Sequence, residues 1–249
     1  VFKTSHFKYL ICFIVISLPV CKMSNEPALR TLKEWENAWE NDRTGWHLDH
    51  VNTNLTENIE FLTDNKPNCR ILVPFCGKTL DMLWLVKQGH TVIGIEVVQK
   101  AIEDFFQENN ILYEKTTVCE NGHCYMAFDG RLKLFDCDYF KFNSSLAGGK
   151  VDGVWDCNAL GAIPRNYWTQ YLQTSLELLD PHGRILLQAF LYNQEEYRGP
   201  PFSVPKEELS RILGDSYALQ LLNRKPAEDA RARFGQSWLY RTLIGIFKV

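Results

Sequence analysis

The feature that most constrains this chain is a strand–turn–helix–strand spacing between Arg70 and Glu96. Arg70 to Phe75 (RILVPF) reads as a compact strand, and Cys76-Gly77-Lys78 as a turn. Leu80, Leu83, Trp84 and Val86 mark a helix that Gly89 closes, and His90 to Glu96 (HTVIGIE) is a second strand. A further helix over Lys100 to Glu108 carries Ala101, Ile102, Phe105 and Phe106 on its inner face. Strands alternating with helices at this spacing need right-handed crossovers and therefore form a parallel sheet. In such sheets ligands bind beyond the carboxyl ends of the strands, where strand order reverses.

The flanking segments complete an α/β reading. Thr31 and Glu34 form a capping box at the start of a helix through Trp35 and Trp39 to about Asn41, and a weaker helix follows around Leu55 to Leu62. Cys124 to Phe128 and Arg131 to Phe135 flank Asp129-Gly130, a two-residue hairpin signal read as an elaboration on the sheet edge. Val151 to Trp155 is a strand, Tyr167 to Leu179 a long helix, and Arg184 to Tyr192 a strand apolar on both faces and hence central. After a proline-rich loop, Pro205 is expected at the first position of a helix closed by Gly214. Ala218 to Leu222 and Trp238 to Val249 are expected to pair as an antiparallel edge with no helix between them. The expectation is a Rossmann-like sandwich: a mostly parallel sheet with an antiparallel C-terminal strand and an added β-hairpin.

Charge and cysteine content narrow the function classes. With 27 basic and 30 acidic residues the net charge is −3, which disfavours a dedicated nucleic-acid binder. The eight cysteines are too sparse for a disulfide scaffold, and Cys119 and Cys124 make a lone C-x4-C with no second pair, so no metal site is expected. Residues 1–22 form an apolar leader whose run from Tyr9 to Cys21 is too short to span a bilayer. Three readings stand for it: upstream sequence joined to the coding region, a signal, or a membrane anchor. Residues 23–249 read as one domain, expected to be a cytoplasmic monomer without stable membrane association.

The turn discriminates between ligands. A dinucleotide fold places G-x-G-x-x-G here so that a pyrophosphate can approach bare backbone. This turn, Pro74-Phe75-Cys76-Gly77-Lys78-Thr79, has one glycine. S-adenosylmethionine has no phosphate, and one glycine suffices beside its amino-acid portion. Glu96, 19 residues after Gly77, is spaced to accept both hydroxyls of a ribose. These two residues alone also fit a chain reversal and a strand end with no ligand.

More of the chain carries a resemblance. Trp35-x3-Trp39, Trp46-His47, Pro74-Phe75-Cys76-Gly77-Lys78, Asp81-Met82-x-Trp84-Leu85, Gly89-His90, Gly94-x-Glu96, Trp155-Asp156, Ala159-Leu160 and Gly199-Pro200-Pro201-Phe202 stand in one order from about Leu32 onward. This resembles the thiopurine S-methyltransferase family of class I methyltransferases. The resemblance implies S-adenosyl-L-methionine as cofactor and a small thiol-type acceptor, such as an aromatic or heterocyclic thiol. It implies that Trp35 and Trp39 belong to an N-terminal lid, that Phe75, Cys76 and Gly77 flank the methionine portion, and that Glu96 holds the ribose. Cys137-Asp138-Tyr139-Phe140 is similar to a G-D-F-F segment on the adenine ring, which implies roles there for Asp138 and Tyr139. Trp46 stands where an aromatic faces the acceptor.

One departure concerns Cys157 and Asn158, which follow Trp155-Asp156 where the family has Arg and a small residue. Cys157 thus borders the acceptor position without the cation, and Arg165 and Arg233 are the candidates to replace it. No catalytic base is assigned; Asp156 and His47 are candidates for deprotonation or orientation only. Two other readings remain at this point: a binding protein that retains the pocket with impaired turnover, and a nucleotide-dependent oxidoreductase on a similar sheet.

Overall fold

A computed structural model describes residues 29–119 and 122–249. The leader over residues 1–22 lies outside the described residues. The first helix, α1 (Leu32–Glu40), starts at the expected capping box: the Glu34 N–H donates to Thr31 Oγ1, and the Thr31 N–H donates to Glu34 Oε2 at 2.7 Å. The segment expected as one helix around Leu55 to Leu62 is two, α2 (Thr53–Glu57) and α3 (Ile59–Thr63). Asn58 separates them by leaving helical geometry at φ −127°, ψ 21°.

The following elements are β1 (Arg70–Pro74), α4 (Asp81–Lys87), β2 (Thr91–Glu96), α5 (Gln99–Glu108), β3 (Glu114–Cys119), β4 (Gly122–Ala127), β5 (Leu132–Asp136), α6 (Ser144–Ala147), β6 (Val151–Cys157), α7 (Trp168–Leu178) and β7 (Leu179–Tyr192). The chain closes with α8 (Lys206–Leu213), β8 (Tyr217–Pro226), α9 (Glu228–Phe234) and β9 (Leu239–Lys248). All strands join one sheet in the order β3-β4-β5-β2-β1-β6-β7-β9-β8. β5, β2, β1, β6 and β7 run parallel, while β3, β4, β8 and β9 are antiparallel additions at the two edges.

Alternation along each strand divides the core. Ile71, Val73, Val92, Leu132, Leu134 and Trp155 face α3, α4 and α5, whereas Leu72, Ile93, Ile95, Phe135 and Val154 face α7 and α8. Two strand glycines admit α3 closely. A Cβ on Gly153 would lie 2.8 Å from Leu62 Cδ1, and α3 also brings the Phe61 ring against the bare backbone of Gly245, where a Cβ would clash outright.

Three further expectations need correction. The Asp129-Gly130 turn has the positive φ at both residues that a type I′ turn requires, but the hairpin is not a simple appendage. Its second strand, β5, pairs in parallel with β2, and the edge belongs to β3, whose polar EKTTVC sequence gave no alternating signal. A helix, α9, does separate the two C-terminal strands: Glu228 and Asp229 in its first turn and Arg231 and Arg233 in its last suit the helix dipole, and Gly235 ends it. Pro205 is the cap residue before α8, with extended ψ of 138°, rather than its first helical residue. Among the described residues no helix is long and apolar enough to cross a membrane.

Candidate functional site

The chain turns away from β1 to reach β2 and returns past it to β6, so strand order reverses between β1 and β6. The candidate residues gather at the carboxyl ends of the strands around this reversal. At the end of β1, Phe75 and Gly77 both take positive φ, +48° and +49°. An aromatic residue in that conformation is strained, and here neighbours hold it. The Phe75 ring packs edge-on to Tyr139 at 5.4 Å between centroids and against Tyr171 at 5.6 Å. Cys76 is buried, and its N–H donates to the Ile95 carbonyl at 3.0 Å. Its thiol fits over Gly94, where a Cβ would come within 2.8 Å of the sulfur. Burial, reinforced by the neighbouring Glu96, pushes this thiol well above its ordinary range.

At the end of β2, Glu96 is buried beside the turn. Its Oε2 accepts the Gly77 N–H at 3.0 Å, and Oε1 accepts the N–H groups of Val97 and Val98 at 2.8 and 2.9 Å. Burial raises its pKa, and the three backbone donors oppose that rise.

Helix α1 lies over this turn. Trp39 is 3% exposed and packs with Val98 and Ala101 at the start of α5. Its ring covers Gly77 so closely that a Cβ there would meet it at 3.1 Å. Trp46 sits edge-on to Trp35 at 5.6 Å and to Trp39 at 6.1 Å, and remains 49% exposed. An open cleft of about 610 Å³, lined by Arg30, Lys33, Asn37, Arg43 and Trp46 among others, flanks the outer side of α1. Lys78 is anchored to Glu108 at 2.6 Å. His47 is partly buried, and that burial, with Lys78 nearby, lowers its pKa.

Beyond β5 the expected ring-binding pair divides. Asp138 is exposed and accepts the Phe140 N–H at 3.0 Å. Tyr139 turns inward: it is 2% exposed, its hydroxyl pairs with Ser175 at 2.7 Å, and its ring stacks on Tyr171 at 4.9 Å. It therefore supports Phe75 from below.

At the end of β6, Cys157 Sγ is approached by Asn52 Nδ2 at 3.3 Å and Gln188 Nε2 at 3.5 Å. Its burial keeps the thiol protonated. Asp156 is enclosed: it accepts the Ala159 N–H and the Tyr171 hydroxyl at 2.7 and 2.8 Å, and burial raises its pKa to about 6. The two candidate cations are both engaged. Arg165 pairs with Glu208 at 2.8 Å, and Arg233 donates to the Gly45 carbonyl at 2.8 Å, next to Trp46.

Sequence reasoning passed over the polar layer beneath Cys157. Gln188 Oε1 accepts from Asn52 Nδ2 at 3.2 Å and Asn54 Nδ2 at 2.7 Å, and Asp81 accepts the Asn52 N–H and Trp155 Nε1. The available signal was Gln188 itself, a polar residue inside an otherwise apolar central strand. Among the described residues no group of three or more His, Cys, Asp or Glu side chains could hold a metal.

A profile of the Thiopurine S-methyltransferase (TPMT) family matches residues 30–243. A probable thiopurine S-methyltransferase of Danio rerio is 37% identical over 209 residues, spanning 83% of this chain and 88% of that one. A thiopurine S-methyltransferase of Legionella pneumophila (strain Corby) is 40% identical over 189 residues, 76% of this chain and 83% of its own. Among solved structures, the 1,6-didemethyltoxoflavin-N1-methyltransferase of Burkholderia thailandensis, with bound 1,6-didemethyltoxoflavin and S-adenosylhomocysteine, superposes with a TM-score of 0.59 over 88% of this chain and 87% of that one. Its 14% identity makes this a likeness of fold.

Proposed function

This chain belongs to the thiopurine S-methyltransferase family, and from that membership we infer that it is an S-adenosyl-L-methionine-dependent S-methyltransferase that acts on a small thiol-type acceptor. The observation that supports the reading most directly is the bond between Gly77 and Glu96 at the carboxyl ends of adjacent parallel strands. A crevice floored by one bare glycine and walled by a carboxylate fits an adenosyl group without a pyrophosphate. The turn has no further glycines to cradle two phosphates, which disfavours the oxidoreductase alternative.

When bound, the donor supplies a methyl group on a positively charged sulfur. In this reading Glu96 accepts from the ribose hydroxyls, and Phe75, Cys76 and Gly77 line the path of the methionine portion. Asp138, exposed at its rim, accepts from the adenine amine, with Tyr139 holding the underlying aromatic layer. Trp35 and Trp39 cover the donor: indole faces favour a cation, and a closed lid excludes water. Trp46 and Cys157 border the acceptor. A thiol ionises close to neutral pH, so holding acceptor and methyl group in line supplies most of the catalysis, and no dedicated base is required. Asp156 serves the loop after β6, where its carboxylate is already bonded on both oxygens.

The reading extends to a monomer in the cytoplasm. Cys69, Cys76, Cys124 and Cys157 stand as free thiols, which suits a reducing compartment. The decisive experiment is transfer of labelled methyl from S-adenosyl-L-methionine to thiophenol, with calorimetric titration of S-adenosylhomocysteine alongside. Transfer supports the enzyme; binding without transfer supports the binding-protein alternative; absence of both refutes the donor assignment.

A further inference from the structure

Three buried side-chain polar atoms among the described residues have no hydrogen-bond partner: Asn158 Oδ1, Arg165 Nε and Gln236 Oε1. Only Asn158 directly follows a strand that ends at the order reversal. It takes φ +63°, a conformation that costs energy for any side chain but is least costly for Asn among non-glycine residues. Its N–H donates to the Gln188 carbonyl at 2.9 Å, and its Nδ2 faces Cys157 Sγ at 3.9 Å. The surrounding amide donors are committed: Asn52 Nδ2 and Gln188 Nε2 both approach the same sulfur. What remains is one carbonyl oxygen, buried and unpaired, beside the protonated Cys157 thiol. A group of that kind is unfavourable unless something with a donor hydrogen completes it.

We propose that Asn158 Oδ1 is a specificity-determining hydrogen-bond acceptor for the methyl acceptor, matched to an uncharged N–H adjacent to the reacting sulfur, as in a cyclic thioamide in its thione form. The assignment rests on the methyltransferase reading above. In the transfer, a lone pair of the thione sulfur forms the new S–CH₃ bond. The electron pair of the breaking C–S bond returns to the donor sulfur, which becomes neutral. The positive charge passes to the acceptor, whose N–H becomes strongly acidic and then gives its proton to solvent water. The N–H thus becomes a better donor as the reaction proceeds, and the bond to Oδ1 strengthens toward the transition state. A plain aromatic thiol has no such hydrogen and gains nothing from Asn158.

The test compares pyridine-2-thione, which carries the N–H, with thiophenol, which does not. Asn158→Gly keeps the backbone conformation open and removes the oxygen; Asn158→Asp keeps an oxygen in place. The ratio of kcat/KM for pyridine-2-thione over thiophenol is expected to fall about fivefold or more in the Gly variant, through KM as well as kcat, and to recover in the Asp variant. An unchanged ratio in the Gly variant, or an equal fall in both variants, overturns the proposal. If the natural protein methylates neither compound, the activity reading fails separately. Calorimetric titration of pyridine-2-thione into protein loaded with S-adenosylhomocysteine then decides: weaker binding in the Gly variant supports the role of Oδ1, and unchanged binding refutes it.

Discussion

The Gly77 backbone N–H donates to Glu96 Oε2 at 3.0 Å, so the turn after β1 and the acid ending β2 are one hydrogen-bonded unit. A single substitution at Glu96 therefore alters both. Glu96→Gln keeps an oxygen for Val97 and Val98 but sets an amide donor against the Gly77 N–H. With charge-assisted bonds contributing about 1.5–3 kcal/mol, the dissociation constant for S-adenosylhomocysteine is expected to rise about tenfold or more. Calorimetric titration checks it, and unchanged affinity removes Glu96 from the ribose assignment.

Trp39 and Gly77 should be energetically coupled. Gly77→Ala forces a methyl group to 3.1 Å from the indole ring at φ +49°, adding strain of about 1–2 kcal/mol before any clash. Trp39→Ala removes the obstacle along with the packing on Val98 and Ala101. In a double-mutant cycle on denaturant unfolding, the combined cost is expected to fall below the sum of the single costs. Strict additivity would mean that the ring does not rest on the turn in solution.

Asp156 predicts a pH dependence of stability. Its carboxyl is raised from 3.8 to about 6 in the folded protein. A raised group favours the fold fully below its unfolded pKa, and that contribution is lost as pH rises through the folded value. Between about pH 4 and pH 7 the natural protein should therefore lose up to about 3 kcal/mol relative to Asp156→Asn, which does not titrate. Unfolding midpoints measured across that range give the difference, and parallel curves would contradict it.

Cys157 should be chemically quiet despite its place at the end of β6. Burial holds its thiol protonated, and thiolate is the reactive form. Iodoacetamide at pH 8 is expected to label it only after unfolding, as read by peptide mass mapping. Rapid labelling of the native protein would show an accessible thiolate and reverse the assignment.

The parallel core was legible because its residues obey short rules: apolar runs of strand length, amphipathic helices, and glycines at the β1–α4 and α4–β2 turns, Gly77 and Gly89. The capping box at Thr31 was legible for the same reason. β3 escaped because an exposed edge strand has no buried face to impose alternation, and α9 escaped because its charges resemble an ordinary loop. At the site, Gly77 and Glu96 could be read from their separation in the chain. Tyr139 facing inward, and the junction of Asn52, Asn54 and Gln188, could not, because those contacts depend on how separate elements meet, 36 residues apart for Tyr139 and Ser175 and more than a hundred for the amide junction.

The seating of α3 on Gly153 and Gly245 reaches beyond packing. The nearest neighbours of these glycines are Leu62, Ile71 and Phe61, none of them a residue assigned to the crevice. Substitutions at these two positions would thus reduce how much enzyme a cell retains, while each surviving molecule turns over at its usual speed. An assay of total activity in a cell extract would misread such a deficit as damage to chemistry.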